Sequence, residues 1–520
     1  MTRYLAIFGF ALVLAVPLLT RSWLGVASSA APAAGAETLV VITPDNVDIR
    51  NEFARAFSAW HLKTYGTAVQ IDYRAVGGTA DIQRQLETID RSDRDAAGDH
   101  LPESEIHPEI DLIFGGGDFM FDQALKPKGI IKPIPIDPAF LHEVFPDPKL
   151  AGVRLYDWSV DANGTEQPVY WIGGCLSSFG IVYNPDICQH IGVSGPQTWT
   201  DLTDPRFAGL LALADPTHSG SSAAAYMMVL QRAMADAESA YLAAHPDVAK
   251  MPTTQMSGDA GYNAALAVGW KTGMDRLVLI AANARYFTDS GTVVPTDVGN
   301  GEAAAGIAID FFGRVESQTV GTDRAIYVSP KAATAITPDS LAIPYGVVGR
   351  KLELAMHFIE FVLSKPGQLL WDLRAGEPGG PVDRALRRSP IRRDLYGDQT
   401  GWADPINPFE LAGGFNQRGA WSAMQTDTVA IWGAAWIDSR DDLTAAYRRI
   451  VAVSDPTRRA ELLARLANIP VTLADLQQYT KDKKAQKANV DIWLARKRID
   501  WAEKFAKHYR DVGAAAGVNP

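Results

Sequence analysis

Three apolar runs near the start of the chain restrict its fold more than any other feature. Each is closed by a breaker, and helical spacing separates one from the next. Thr38–Thr43 (TLVVIT) reads as a strand stopped by Pro44-Asp45-Asn46, and residues 47–64 then carry Phe53, Phe57, Trp60 and His61 on one helical face. Val69–Tyr73 reads as a second strand and runs into Gly77-Gly78-Thr79, after which Ile82, Leu86 and Ile89 mark a helix. A polar, turn-like stretch, Asp90–Glu109, precedes a third strand, Ile110–Phe114, that ends in Gly115-Gly116-Gly117-Asp118. This alternation predicts an α/β fold on a parallel sheet. Both Gly-rich loops fall just beyond strand ends, where open α/β sheets bind ligands. Glycines there also serve tight turns, but two such loops in adjacent units favour a pocket using Gly78, Thr79, Gly116, Gly117 and Asp118.

Tyr170–Tyr183 (YWIGGCLSSFGIVY) is a long β-like run with glycines and serines inside it. A central strand tolerates few glycines, so this stretch predicts a segment crossing between two lobes close to a ligand. A second α/β unit follows and contains Leu210–Ser222 (LLALADPTHSGSS). Its apolar start is a buried strand, Asp215-Pro216 ends it, and small hydroxyl residues open a helix. Ser219, Gly220, Ser221 and Ser222 would set hydroxyls and free N–H groups at a helix N-terminus, a place suited to an anion. An N-cap alone needs only one of those serines. Ala303–Phe312 then returns as a strand, Ile326–Val328 and Leu341–Val347 are extended, and Leu352–Leu363 is an amphipathic helix. Beyond 385 a loop-like stretch gives way to helices. Ser439-x-x-Asp442 and Thr472-x-x-Asp475 look like capping boxes, and Trp493, Trp501, Phe505 and Tyr509 lie on the apolar side of the last helix.

A chain of 520 residues holds two or more domains, and its net charge of -11 argues against nucleic acid as a partner. The basic runs Arg387-Arg388, Arg392-Arg393 and Lys481–Lys487 read as solvated faces. The first 36 residues, an apolar run to Leu19 and then a small-residue tract ending Ala34-Gly35-Ala36, read as a secretory signal peptide or an uncleaved N-terminal anchor. Export makes a disulfide between Cys175 and Cys188 the expectation, and two cysteines are too few for a thiolate metal centre. Glu105-x-His107-x-Glu109 reads as a solvated loop. Neither a cofactor nor a metal is expected.

DLIFGGGDFMFDQALKPKGII, SSFGIVYNPDI, TWTDLTDPRFAGLLALADPTHSGSS, ANARYFTDSG, VGNGEAAAGIAIDFF and FVLSKPGQLLW follow one another over residues 38–375. In that order they resemble the periplasmic solute-binding proteins of ABC importers, in the branch that handles ferric iron, phosphonates and phosphoglycerate-like anions. The resemblance implies a type II two-lobed fold closing on its ligand by hinge motion. Lobe one would span 37–172 plus 326–385, lobe two 173–325, and a mainly helical extension 386–520. It also implies a monomer that captures a small-molecule ligand in the periplasm and hands it to a permease in the inner membrane. Iron-binding members carry paired tyrosines where this chain has Asp310-Phe311-Phe312, and phenyl rings cannot ligate iron. An anionic, phosphonate- or phosphorylated-acid-like ligand therefore fits better. Thr79, Ser177, Ser178 and Ser219–Ser222 would receive the oxyanion. Asp215 joins this set, Asp310 or Asp118 would meet an amino group, and Trp171 or Phe311 would cover a carbon skeleton. The alternatives are ferric-iron transport, sensing through a membrane receptor, and an exported phosphoester hydrolase. No GxSxG, HExxH or Walker pattern supports the last.

Overall fold

A computed structural model describes residues 35–411, 415, 421, 424–486 and 490–517. The expected signal or anchor up to 34, and Lys487, lie outside the described residues.

The first unit is β1 (Glu37–Ile42), α1 (Val47–Tyr65), β2 (Val69–Arg74), α2 (Thr79–Ser92) and β3 (Leu112–Gly117). Asn46 caps α1 by accepting from Ile49 N, and Gly66 closes it in the left-handed conformation that glycine tolerates. β4 (Ile172–Tyr183) is buried at all twelve positions. Beyond it come β5 (Leu211–Ala214), α3 (Gly220–Ala244), α4 (Ala260–Ala282), β6 (Ala284–Thr288), β7 (Ala305–Ile309) and α5 (Asp310–Val320). β8 (Ile336–Pro344) returns to the first unit, and the two-residue β9 (Ser389–Pro390) follows.

These nine strands, with the short strands Ile131–Lys132 and Ile326–Val328, form one mixed sheet of eleven strands, in spatial order β2-β1-β3-β8-β4-β7-β5-β6 along its main path. β1 is parallel to β2 and β3, whereas β8 is antiparallel to β3 and β4. β4 divides its partners along its length. Its first half pairs with β8, from Ile172↔Leu341 to Ser178↔Ile336, and its second half pairs with β7, from Phe179↔Ile309 to Tyr183↔Ala305. One strand thus leaves one half of the sheet and enters the other, which gives the two-lobed α/β form. Its glycines serve packing: a Cβ on Gly180 would collide with Tyr327 and the Val328 carbonyl.

Each lobe keeps its own core. Phe53, Phe114, Phe358 and Trp371 centre the first, and Phe207, Leu213, Met227 and Trp270 centre the second. The C-terminal helices join the second core, with Trp432, Trp436, Tyr447, Phe505 and Tyr509 in the same apolar cluster. Tyr226 of α3 packs edge-on against Trp432 and Trp436, with centroids 5.9 and 5.6 Å away.

Four expectations are corrected. The strand predicted over Ala303–Phe312 stops at Ile309, and Asp310-Phe311-Phe312 opens α5. The Asp310 carboxylate accepts from Phe311 N at 2.8 Å, where its charge also meets the positive end of the helix. Thr472 and Asp475 do form a capping box, but Ser439 donates to the carbonyls of Ala434 and Ala502, so the second predicted box is not made. Arg388 and Arg392 are 1% and 2% exposed, so their runs are not solvated faces.

The expected disulfide is not formed either: Cys175 and Cys188 are buried free thiols in different cores. Eight extended residues from Cys175 to Tyr183 span about 26 Å, while bridged Cα atoms lie within about 7 Å. Burial pushes the thiols up to about 12 and about 11.

Candidate functional site

The helix that follows Asp215 begins with a cluster of hydroxyls. Ser219 is the N-cap of the 25-residue α3 and accepts from Ser222 N at 3.3 Å. Its Oγ lies 3.2 Å from Ser221 Oγ and donates to Ser222 Oγ at 3.0 Å. The three hydroxyls converge below Gly291 in the Asp289–Thr292 loop, where a Cβ would sit 3.0 to 3.5 Å from each of them. Asp215 shapes the turn that leads into α3, accepting from Thr217 N and Thr217 Oγ1, each at 2.7 Å. Its carboxylate is 6% exposed and spent on that turn.

Loops of the first lobe close against this cradle. Gly78 N donates to Asp81 Oδ2 at 3.1 Å, and Thr79 begins α2. A Cβ on Gly220 would collide with Thr79 Oγ1, so the lobes touch here and only glycine fits. Gly116, at φ 104°, backs the same threonine, since its Cβ would lie 3.1 Å from Thr79 Cγ2. Gly116 N donates to Asp339 Oδ1 at 3.2 Å, and Gly117 pairs with Asp339 in the sheet. The structure therefore brings Thr79, Gly116, Ser219 and Gly220 to one interlobe contact. Asp118 follows on the same loop, and burial beside the Asp122 carboxylate pushes it up to about 6.

The floor of the cleft is a buried ion cluster that the sequence did not reveal. Arg388 Nη1 pairs with Asp45 Oδ1 at 2.9 Å, and Nη2 with Asp339 Oδ2 and, at 2.9 Å, with Ser177 Oγ. Its guanidinium lies between Phe311 and Trp371, 4.3 and 5.2 Å from their centroids. Phe311 thus carries this cation. Burial still raises Asp45 above the usual carboxylate range, and Asp45 Oδ2 and Arg388 Nε are buried without hydrogen-bond partners. Neighbouring Ser178 donates to Asp310 Oδ2 at 3.2 Å, and Arg314 Nη2 reaches the same oxygen at 3.0 Å. Asp310, expected to meet a ligand amino group, already neutralises Arg314. Trp171 is fully buried and donates from Nε1 to Asp122, away from the cradle.

Behind Ser177 and Ser178 lies a cavity of about 450 Å³, walled by α5 on one side and by residues 389–411 on the other. Among the described residues no group of three or more His, Cys, Asp or Glu is placed to hold a metal ion; Glu105, His107 and Glu109 are exposed.

Residues 108–385 match the family described as bacterial extracellular solute-binding protein. No curated protein matches the chain. Among solved structures, the periplasmic binding protein AfuA from Actinobacillus pleuropneumoniae, with exogenous fructose-6-phosphate bound, superposes with a TM-score of 0.50 at 17% identity. That match covers 77% of this chain and 98% of AfuA. Iron-bound HitA from Pseudomonas aeruginosa gives a TM-score of 0.45 at 16% identity, covering 76% and 98%. With more than half its length matched to the family and the two-lobed fold in place, the chain belongs to the bacterial extracellular solute-binding proteins, the ABC-importer components that capture a small solute outside the cytoplasm.

Proposed function

We propose that the solute is a small oxyanion of the phosphonate or phosphorylated-acid class, held where the two lobes meet. The observation that carries this reading is the convergence of three serine hydroxyls on the N-terminus of a 25-residue helix, directly opposite Thr79 and Gly116 of the other lobe. Hydroxyls and peptide N–H groups suit an oxyanion there, because the helix end adds a partial positive charge without a counter-ion to displace. The nearby guanidiniums of Arg388 and Arg314 are already matched by Asp45, Asp339 and Asp310, so they set the floor of the cleft. In this reading residues 37–172 with 326–385 form lobe one and 173–325 form lobe two. Closure about β4 traps the solute, and no covalent step is involved. AfuA holds fructose 6-phosphate, which makes a hexose 6-phosphate the first compound to try.

The test is a thermal-shift panel of hexose 6-phosphate, 3-phosphoglycerate, an alkylphosphonate, spermidine, glucose and ferric citrate, followed by calorimetry on the best compound. A phosphoryl or phosphonyl compound should stabilise the protein, by about 2.7 kcal/mol at a hundredfold excess over Kd, and be recovered unchanged. Replacing Ser221 and Ser222 together with Ala should weaken it roughly tenfold or more, since a single hydrogen bond to a charged group is worth about 1.5–3 kcal/mol and a factor of ten is about 1.4 kcal/mol. Stabilisation by ferric citrate alone, or unchanged affinity in the double variant, would overturn the reading. Turnover of a phosphoester would transfer the protein to the hydrolases.

A further inference from the structure

Two histidines that belong to neither the cradle nor the ion cluster meet inside the first lobe. His61 lies near the end of α1, and His357 lies on α6 (Gly349–Leu363), which packs against α1. Both rings are buried, His61 completely. His61 Nε2 is 3.0 Å from His357 Nδ1, and His61 Nδ1 is 2.9 Å from the Thr67 carbonyl oxygen. A carbonyl only accepts, so His61 carries its proton on Nδ1. Its Nε2 is then a lone pair, and His357 Nδ1–H donates to it. Tyr65 covers the pair. Its ring stacks on His357 with centroids 3.8 Å apart, and its hydroxyl donates to Glu360 Oε2 at 3.3 Å.

This arrangement has room for one extra proton and not for two. A proton on His357 Nε2 leaves the bond intact. A proton on His61 Nε2 sets N–H against N–H and places two imidazolium charges side by side in a site shielded from water. The other charges that act on the pair are Glu37 of β1 and Arg350 and Glu353 of α6, with Glu360 beyond Tyr65. Hydrogen bonds from Arg350 hold Glu37 and Glu353 below the usual carboxylate range, so both stay ionised in mild acid. Burial, with His61 beside it, lowers His357. We propose that His61 and His357 form an acid-sensitive clasp, and that double protonation frees the end of α1 from α6. Unfolded histidines take up protons near pH 6.5 that the folded pair resists, so the clasp contributes fully at neutral pH and loses its contribution as pH falls below about 6.5. A protein that captures its solute outside the cytoplasm meets the pH of its surroundings directly. The 19-residue α1 starts immediately after Asp45, so the clasp and the floor of the cleft sit at opposite ends of one helix.

The experiment follows amide hydrogen exchange of the full-length protein by mass spectrometry from about pH 7.5 to about pH 5, corrected for the intrinsic rate. Peptides covering 57–66 and 353–363 should lose protection roughly tenfold or more, since one pK unit is a factor of ten, while those covering β3 and α3 keep theirs. The parent protein alone therefore decides the matter. His357→Asn supplies an amide that donates to His61 Nε2, or turns and accepts from it, without titrating, and it should abolish the loss. His142→Asn removes an exposed histidine, paired with Glu166, and should retain the loss. The proposal is overturned if the parent shows no loss, if the loss is spread equally over both lobes, or if it is as large in His357→Asn. A loss confined to the C-terminal helices would assign the acid response to His508, which burial also lowers, and would overturn it too.

Discussion

The serine cradle and the arginine cluster lie in the same cleft and are built in opposite ways. The cradle takes its hydroxyls from four consecutive positions, 219–222, on a turn shaped by Asp215, and its donors are neutral. The cluster joins Asp45, Ser177, Asp339 and Arg388, and the pair Asp45–Arg388 is separated by 343 positions. A neutral set of hydroxyls can change partners at little cost when a solute arrives. A guanidinium held by two carboxylates between two rings cannot, because moving it would strand buried charge. The difference assigns recognition to the first and support to the second.

The largest expected effect breaks the support. Arg388→Met should leave Asp45 and Asp339 unpaired and lower the unfolding free energy by about 3–5 kcal/mol. The serine double variant removes only neutral hydroxyls, from half-buried Ser221 and buried Ser222, and should lose less, about 1–2 kcal/mol. Urea unfolding of both variants checks this, and equal losses would erase the distinction drawn here.

A second effect is seen in the pH dependence. Asp372 Oδ1 accepts from Asp404 N at 3.2 Å, and burial, reinforced by the Asp404 carboxylate, pushes Asp372 up to about 9. In the unfolded chain its carboxyl ionises near 4, so between about pH 4 and 9 the folded state holds one proton more. Stability should therefore fall as pH rises through that window. Asp372→Asn should remove this slope, which urea midpoints measured across the range would show; an unchanged slope would place the proton elsewhere.

The smallest effect concerns Cys175, on the strand beside Arg388, and Cys188. Both thiols should resist alkylation in the native protein and react fully once it is denatured without reductant, adding two labels by mass spectrometry. No label at all would mean that the two cysteines are bonded to each other after all.

What the sequence displays follows the same division. TLVVIT, VQIDY and the apolar run before Asp215 were readable because neighbouring residues decide a strand, and Thr472-x-x-Asp475 because a capping box spans four positions. The crossing of Tyr170–Tyr183 was legible from glycines that no ordinary central strand carries. Ser439 has the same local pattern as Thr472, yet its hydroxyl was drawn to Ala502 on a distant helix, a competition that no window discloses. Arg388 and Arg392 looked like surface charge because an arginine shows nothing of the carboxylates that will enclose it. Arg314 and Asp404 were passed over for the same reason: each acquires its place only when residues 389–411 fold back on α5.

The fusion of the C-terminal helices with the second core limits how far the chain can be shortened. Tyr226 and Met274 are buried where Trp432 and Trp436 lie against them. A stop codon near 385 would leave that aromatic surface open to solvent and invite clumping and proteolysis. Any chain that shed this covering would need polar replacements across that whole face of lobe two to stay dispersed in water.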